Sequence, residues 1–183
     1  MALLVNPKYP AAINNIWTPI LYAIQDEVYR KLHARIDTGY IYIKNAVSDI
    51  GIVSNTSNCE ATEVANEIVM LRESVLEHQP KIIITLGTIT YEFVRRIFDI
   101  SHEKGPKYWS TTRLVDEFER SIANFDINQA NRIPLLGRVT KSGRFIDDRN
   151  YFSWEDTENY FREVGTKIAD RIIENKDSLN IWV

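Results

Sequence analysis

Lys81-Ile82-Ile83-Ile84-Thr85-Leu86-Gly87-Thr88-Ile89-Thr90 joins an apolar, β-branched run to a glycine and then, without a spacer, to a helical pattern. Three isoleucines followed by threonine and leucine suit a strand buried on both faces, because a half-exposed strand would alternate in polarity. Pro80 closes the element before it, since proline cannot continue an N–H ladder, and Gly87 supplies the sharp turn after it. Thr88 is expected to cap the following helix. Ile89, Phe93 and Ile97, with Val94 and Phe98, form a stripe that can fold back on the strand. Strand, glycine and helix make the βα half of a parallel α/β unit, in which ligands bind beyond the carboxyl ends of the strands.

Upstream, Ser57 and Glu60 have capping-box spacing, and Val64, Ile68, Leu71 and Val75 give the buried face of a helix reaching about Gln79. Before it, Tyr40-Ile41-Tyr42-Ile43 has strand chemistry, with Asn45 expected just past the strand. From about Ala12 to Ile36, apolar residues recur at three and four, including Trp17, Ile20, Ile24 and Val28, which predicts a helix bent at Pro19. Ala2 to Val5 reads as a first strand, ended by the loop Asn6-Pro7-Lys8-Tyr9-Pro10. Downstream, residues 101–110 read as an exposed aromatic loop, and Thr111 or Thr112 is expected to cap a helix bearing Leu114, Val115, Phe118 and Ile122. Ile133-Pro134-Leu135-Leu136 is a last strand, placed at an edge or a strand start by its proline, and Gly137-Arg138 follows it. Ser153 and Asp156 open a final helix along Phe161, Val164, Ile168 and Ile172. The order β-α-β-α-β-α-α-β-α predicts a three-layer α/β/α fold with a four-stranded parallel sheet, residues 1–183 forming one domain.

Composition narrows the classes further. The chain has 183 residues, of which 44% are apolar and 26% charged, which fits a globular core and excludes disordered and fibrous classes. A formal charge of −3 gives no general attraction to polyanions, so a nucleic-acid contact has to be local. The single cysteine, Cys59, rules out an internal disulfide, argues against a structural zinc site, and suits a reducing, cytoplasmic setting. No apolar stretch reaches membrane-spanning length, and the first apolar run is too short for a signal peptide, so no membrane partner is expected.

The strand ends bring together Asn6, Asn45, Gly87 and Gly137-Arg138, and with these residues the chain resembles the uracil-DNA glycosylase superfamily. The first motif of its mismatch-specific and single-strand-selective branches is a strand followed by Gly-x-Asn-Pro-Gly. Leu4-Val5-Asn6-Pro7-Lys8 matches at the asparagine and proline and lacks both glycines. Asn14-Asn15-Ile16-Trp17 is similar to the Asn-Arg-Phe-Trp that follows in the mismatch-specific branch. The superfamily's next strand ends in an asparagine that recognises uracil, and Tyr40-Ile41-Tyr42-Ile43-Lys44-Asn45 resembles it. The likeness continues through Pro80-Lys81 and Thr85-Leu86-Gly87, covering most of residues 2–98. The second motif, a strand followed by His-Pro-Ser or Asn-Pro-Ser, falls at Leu135-Leu136-Gly137-Arg138-Val139, where neither histidine nor asparagine stands. The resemblance implies a uracil-DNA glycosylase-like fold and hydrolysis of the N-glycosidic bond of an extruded uracil-like base, as in base-excision DNA repair. It further implies DNA or a nucleobase or nucleotide as partner, and no metal or organic cofactor.

Each candidate residue carries a physical role and a plainer alternative. The Asn45 amide offers one acceptor and two donors, which pairs with the N3–H and 4-oxo group of uracil and mismatches cytosine; the alternative is an Asx-turn at a strand end. Asn6 can position a water but cannot take its proton as a carboxylate would, so hydrolysis would rest on positioning; the alternative is an Asn-Pro turn that also fixes Pro7. Arg138, or the Gly137 and Arg138 backbone N–H groups, can stand in for the missing histidine as the stabiliser of the departing base; the alternative is a solvated arginine. Tyr9 or Trp17 can stack on an extruded base, with core packing the better reading of Trp17. Lys141, Arg144 and Arg149 form the most cationic loop and are candidate phosphate contacts, diluted by Asp147 and Asp148. His102, Lys104, Lys107 and Trp109 make a second candidate contact strip. Two rival classes remain: a nucleobase, nucleotide or nucleic-acid binding module without turnover, and an interaction scaffold using the 101–110 loop and the apolar tail Leu179 to Val183.

Overall fold

The computed structural model of the protein describes residues 1–5, 13–47, 62–98, 108–136 and 154–183. Among these residues it is an α/β protein with four strands, β1 (Ala2–Val5), β2 (Tyr42–Asn45), β3 (Ile82–Leu86) and β4 (Asn131–Leu135). Five α-helices accompany them among the described residues: α1 (Ile13–Leu32), α2 (Thr62–His78), α3 (Thr88–Ile97), α4 (Thr111–Ala123) and α5 (Trp154–Glu174). The strands form one all-parallel sheet in the order β2-β1-β3-β4. Contacts gather into two compact units, one of Met1–Lys8 with Tyr42–Gly137 and the other of Tyr9–Ile41 with Arg138–Val183. None of the described helices is long and apolar enough to cross a membrane.

The first unit contains the sheet with α2, α3 and α4. Every residue of β1 and β3 is buried, the two-sided burial that the isoleucine run predicts. In register, Ala2 pairs with Ile83 and Leu4 with Thr85. Ala2, Leu4 and Ile83 belong to the core that Val64, Leu71 and Val75 of α2 and Phe93, Val94 and Ile97 of α3 complete. The two central strands therefore present one face to α2 and α3, and alternation sends Leu3, Val5, Ile84 and Leu86 to the other.

Several boundaries differ from the sequence expectation, each for a local reason. β2 begins at Tyr42 rather than Tyr40, because the Asp37 carboxylate accepts the Gly39 N–H and winds residues 38–40 into a 3-10 turn. Asn45 is thus the last residue of the strand, not a residue beyond it. Thr88 is the first helical residue of α3, and the N-cap is Gly87, which has no side-chain cap hydrogen bond. α4 is capped by Ser110, whose hydroxyl accepts the Arg113 N–H, and not by Thr111 or Thr112. β4 starts two residues early because the Asn131 amide closes the turn before it. Its Nδ2 donates to the carbonyls of Lys81, Asp126 and Gln129, and its Oδ1 accepts the Asp126 N–H. Pro134 lies on an edge strand, where its missing N–H is tolerated.

The second unit is built on α1 and α5. Trp17, Ile20, Ile24 and Val28 of α1 are buried, as are Phe161, Val164, Ile168 and Ile172 of α5. α1 runs through Pro19 and ends at His33, whose φ of 53° lies in the left-handed region. Lys31 bridges Glu27 of its own helix and Asp170 of α5, and these two partners raise its pKa above the usual lysine range. The apolar tail packs within this unit: Arg35 and Val183 exchange both backbone hydrogen bonds, and the Asp37 N–H donates to the Ile181 carbonyl.

Candidate functional site

The carboxyl end of the sheet is a row fixed by strand register: Asn45 pairs with Val5, Val5 with Leu86, and Leu86 with Leu135. Adjacent strands lie about 4.8 Å apart, so Asn45 stands about 10 Å from Leu86 across β1, a span that one small ring can bridge. Asn45 is half-buried, and its Oδ1 is buried with no hydrogen-bond partner among the described residues. A buried acceptor left unpaired costs about 1–3 kcal/mol, so this oxygen is a place where an N–H donor adds stability.

Gly87 completes the rim. Its backbone sits at φ 87° and ψ 166°, a conformation that an L side chain strains to adopt. The turn is tied to the neighbouring strand by the Gly87 N–H, which donates to the Leu135 carbonyl at 3.0 Å. With glycine at the N-cap, the first turn of α3 receives no cap hydrogen bond from a side chain at that position, and the helix dipole adds partial positive charge there. Asn45 shares its sheet face with Val5 and Leu86. Thr85, fully buried and with its hydroxyl unpartnered among the described residues, shares the opposite face with Leu4 and Ile83.

No protein-family model, curated protein or solved structure matches this chain. The site therefore has to be read from its own residues.

Asn45 and Gly87 lie on the one rim, as the strand-end reading expects. Val5, which precedes Asn6, is the direct partner of Asn45. Asn6, Pro7, Tyr9, Gly137, Arg138, Lys141, Arg144 and Arg149 lie outside the described residues, as do the Ser57 and Glu60 pair and His102, Lys104 and Lys107. Trp17 belongs to the second unit, where it is 1% exposed on the buried stripe of α1 and its indole N–H has no acceptor among the described residues. Among the described residues, no group of three or more His, Cys, Asp or Glu could hold a metal ion.

Trp109 is buried, against its reading as a surface contact. Its indole N–H donates to Glu92 Oε2 at 3.0 Å, and the same carboxylate accepts from Arg95 at 3.0 Å and Arg96 at 3.4 Å. Glu92 is fully buried, so these three donors are what make its charge tolerable inside α3. The signal for this network is present in the sequence as a glutamate followed at i+3 and i+4 by two arginines; what the sequence lacks is any sign that Trp109 returns to it. Beside it, Tyr91 packs edge-on to Trp109 and donates its phenol to Glu117 at 2.8 Å. Burial, and then the Glu117 charge, raise the Tyr91 pKa well beyond the usual phenol range.

Proposed function

We propose that this protein is a uracil-DNA glycosylase-like α/β protein of three layers that binds an extruded uracil-like base at the carboxyl ends of its strands and hydrolyses the N-glycosidic bond. The observation that carries the reading is the buried Asn45 Oδ1 at the end of β2, without a hydrogen-bond partner among the described residues and one strand from the residue that precedes Asn6. The N3–H of uracil supplies the donor this oxygen lacks, and the amide Nδ2 donates to the 4-oxo group. Cytosine, with an acceptor at N3 and an amino group at C4, would oppose both. Asn6 positions the attacking water, and the N-terminal end of α3, whose glycine N-cap supplies no side-chain cap, favours the negative charge of a phosphate or departing base near the rim.

Single- and double-stranded DNA carrying uracil, a G·U mismatch or hypoxanthine tests this at enzyme excess. The expected result is an abasic product from uracil DNA that disappears with Asn45→Ala at a thermal midpoint no lower than the parent's. No product from any of these substrates removes the hydrolytic reading.

A second reading is favoured by the sequence at Gly137-Arg138, where the superfamily's second motif has histidine or asparagine. Losing one such donor typically costs about 100- to 1,000-fold in rate. In this reading the same rim binds a nucleobase or nucleotide without turnover. Thermal stabilisation by uracil or uridine monophosphate, lost with Asn45→Ala and unaccompanied by product, supports it.

A further inference from the structure

In the first unit, α2 and α3 border a cleft of about 190 Å³ lined by Arg72, Val75, Leu76, Ile97 and Phe98. Typical small-molecule sites are about 300–1,000 Å³, so this one is closer to the size of a single large side chain. Ala65, Val69, Arg72 and Leu76 recur at four, three and four along α2, which puts them on one flank of the helix. Val69 and Leu76 remain 53% and 62% exposed there, while the exposed acids Glu73 and Glu77 fall further round the helix. Opposite stands Phe98, whose ring carries the Arg132 guanidinium 5.1 Å from its centre. Arg132 is half-buried on β4, and none of the ion pairs among the described residues includes it. A cation partly withdrawn from water and without a counter-ion among the described residues favours an incoming carboxylate.

We propose that this cleft docks an acidic amphipathic segment of a partner protein. One large apolar side chain enters between Leu76 and Phe98, a second lies on Val69, and a carboxylate of the same segment pairs with Arg132. Charge selects the occupant: Arg132 stands beside the apolar cleft against Phe98, and none of the lining residues is acidic. Spacing selects its form, because Val69 and Leu76 lie about 10.5 Å apart along α2, matching anchors at i and i+7 of a second helix. The surface is independent of the base-binding rim, since it lies at the C-terminal ends of α2 and α3, away from the carboxyl ends of the strands.

The test is a titration of the isotope-labelled full chain with a synthetic amphipathic helix of about 15 residues. It carries Phe and Leu seven positions apart with Glu on both flanks, and is compared with a twin bearing Lys for Glu and another bearing Ala for Phe. Saturable amide shifts are expected at Val69, Leu76, Ile97 and Phe98, with affinity weakened about tenfold or more by Leu76→Glu, by Arg132→Gln and in either twin. Leu76 is exposed, so Leu76→Glu is expected to keep the thermal midpoint, and the loss of binding then reports on the cleft. Absence of shifts at these amides, or equal binding by the Lys twin, overturns the proposal. So does a self-association of the free protein that Leu76→Glu abolishes, because a second copy would then be the occupant.

Discussion

At Gly165 a Cβ would lie 2.5 Å from the Ala23 Cβ and 3.4 Å from the backbone of Ala23 and Ile24. Cβ atoms that are not joined through bonds essentially never approach that closely, so α1 and α5 would have to move apart wherever position 165 carries a side chain. Two effects oppose each other in Gly165→Ala. Alanine is favoured over glycine inside a helix by about 1 kcal/mol, whereas forcing a methyl into a packed contact costs about 1–3 kcal/mol. The 2.5 Å contact is with a methyl fixed directly to the α1 backbone, which no change of rotamer relieves, so packing is expected to win and the variant to be destabilised. Chemical denaturation of Gly165→Ala, Ala23→Gly and the double variant checks this. Removing the Ala23 methyl is expected to recover part of the loss, giving a coupling energy of about 0.5 kcal/mol or more. Gly87 owes its identity to a different constraint, its positive φ, and a side chain there is expected to cost about 1–3 kcal/mol whatever the surrounding space.

At the scale of elements, the join between α3 and α4 is held by polar groups that are buried and satisfied. Tyr91 shows what that does to pH dependence. The unfolded phenol ionises near its ordinary value of about 10, whereas burial and the Glu117 carboxylate keep the folded one protonated to higher pH. The stabilisation from Tyr91 is therefore complete below about pH 10 and is lost as pH rises from there towards the folded value. Tyr91→Phe is expected to be flatter than the parent above about pH 10, by close to 1.4 kcal/mol per pH unit, in urea midpoints taken across the alkaline range. Parallel slopes for the two proteins would sink this account. The same elements mark how far sequence reaches. The isoleucine run, the helix stripes and the element order are legible, because each is a periodicity of burial that the chain repeats over several residues. Single-residue caps are not: Ser110 prevails over Thr111 and Thr112, and Asp37 shortens β2, through hydrogen bonds that depend on one residue's neighbours in space. Asn45 illustrates both limits, since its place on the rim follows from the strand pattern, whereas the lack of a partner for its oxygen among the described residues depends on what surrounds it in the fold. Trp109 is legible as an aromatic but not as a partner of Glu92, 17 residues earlier in the chain.

At the scale of the whole molecule, neither compact unit is continuous in sequence: each takes an N-terminal and a later segment, and the chain passes between them at 8–9, 41–42 and 137–138. Stability consequently depends on contacts that close long spans of chain, whose loop entropy must be met before the contact forms. The tail of the second unit is the clearest case. Ile36 and Trp182 form an antiparallel bridge, and three backbone hydrogen bonds tie residues 35 and 37 to 181 and 183. Ile36 and Leu179 are buried, and the Trp182 indole N–H donates to the Lys176 carbonyl at 3.0 Å. Removing residues 179–183 forfeits the Leu179 side chain, worth about 1.5–3 kcal/mol, and three hydrogen bonds of about 0.5–1.5 kcal/mol each. A loss of about 3 kcal/mol or more is expected, a large share of the roughly 5–15 kcal/mol by which a protein is usually folded. Equilibrium denaturation in urea measures it, with Trp182→Ala as the milder variant that keeps the backbone ladder and is expected to lose less than the truncation. If the truncated chain keeps the parent midpoint, the tail is an ornament on the surface and the closure of this unit lies wholly in the α1–α5 contact.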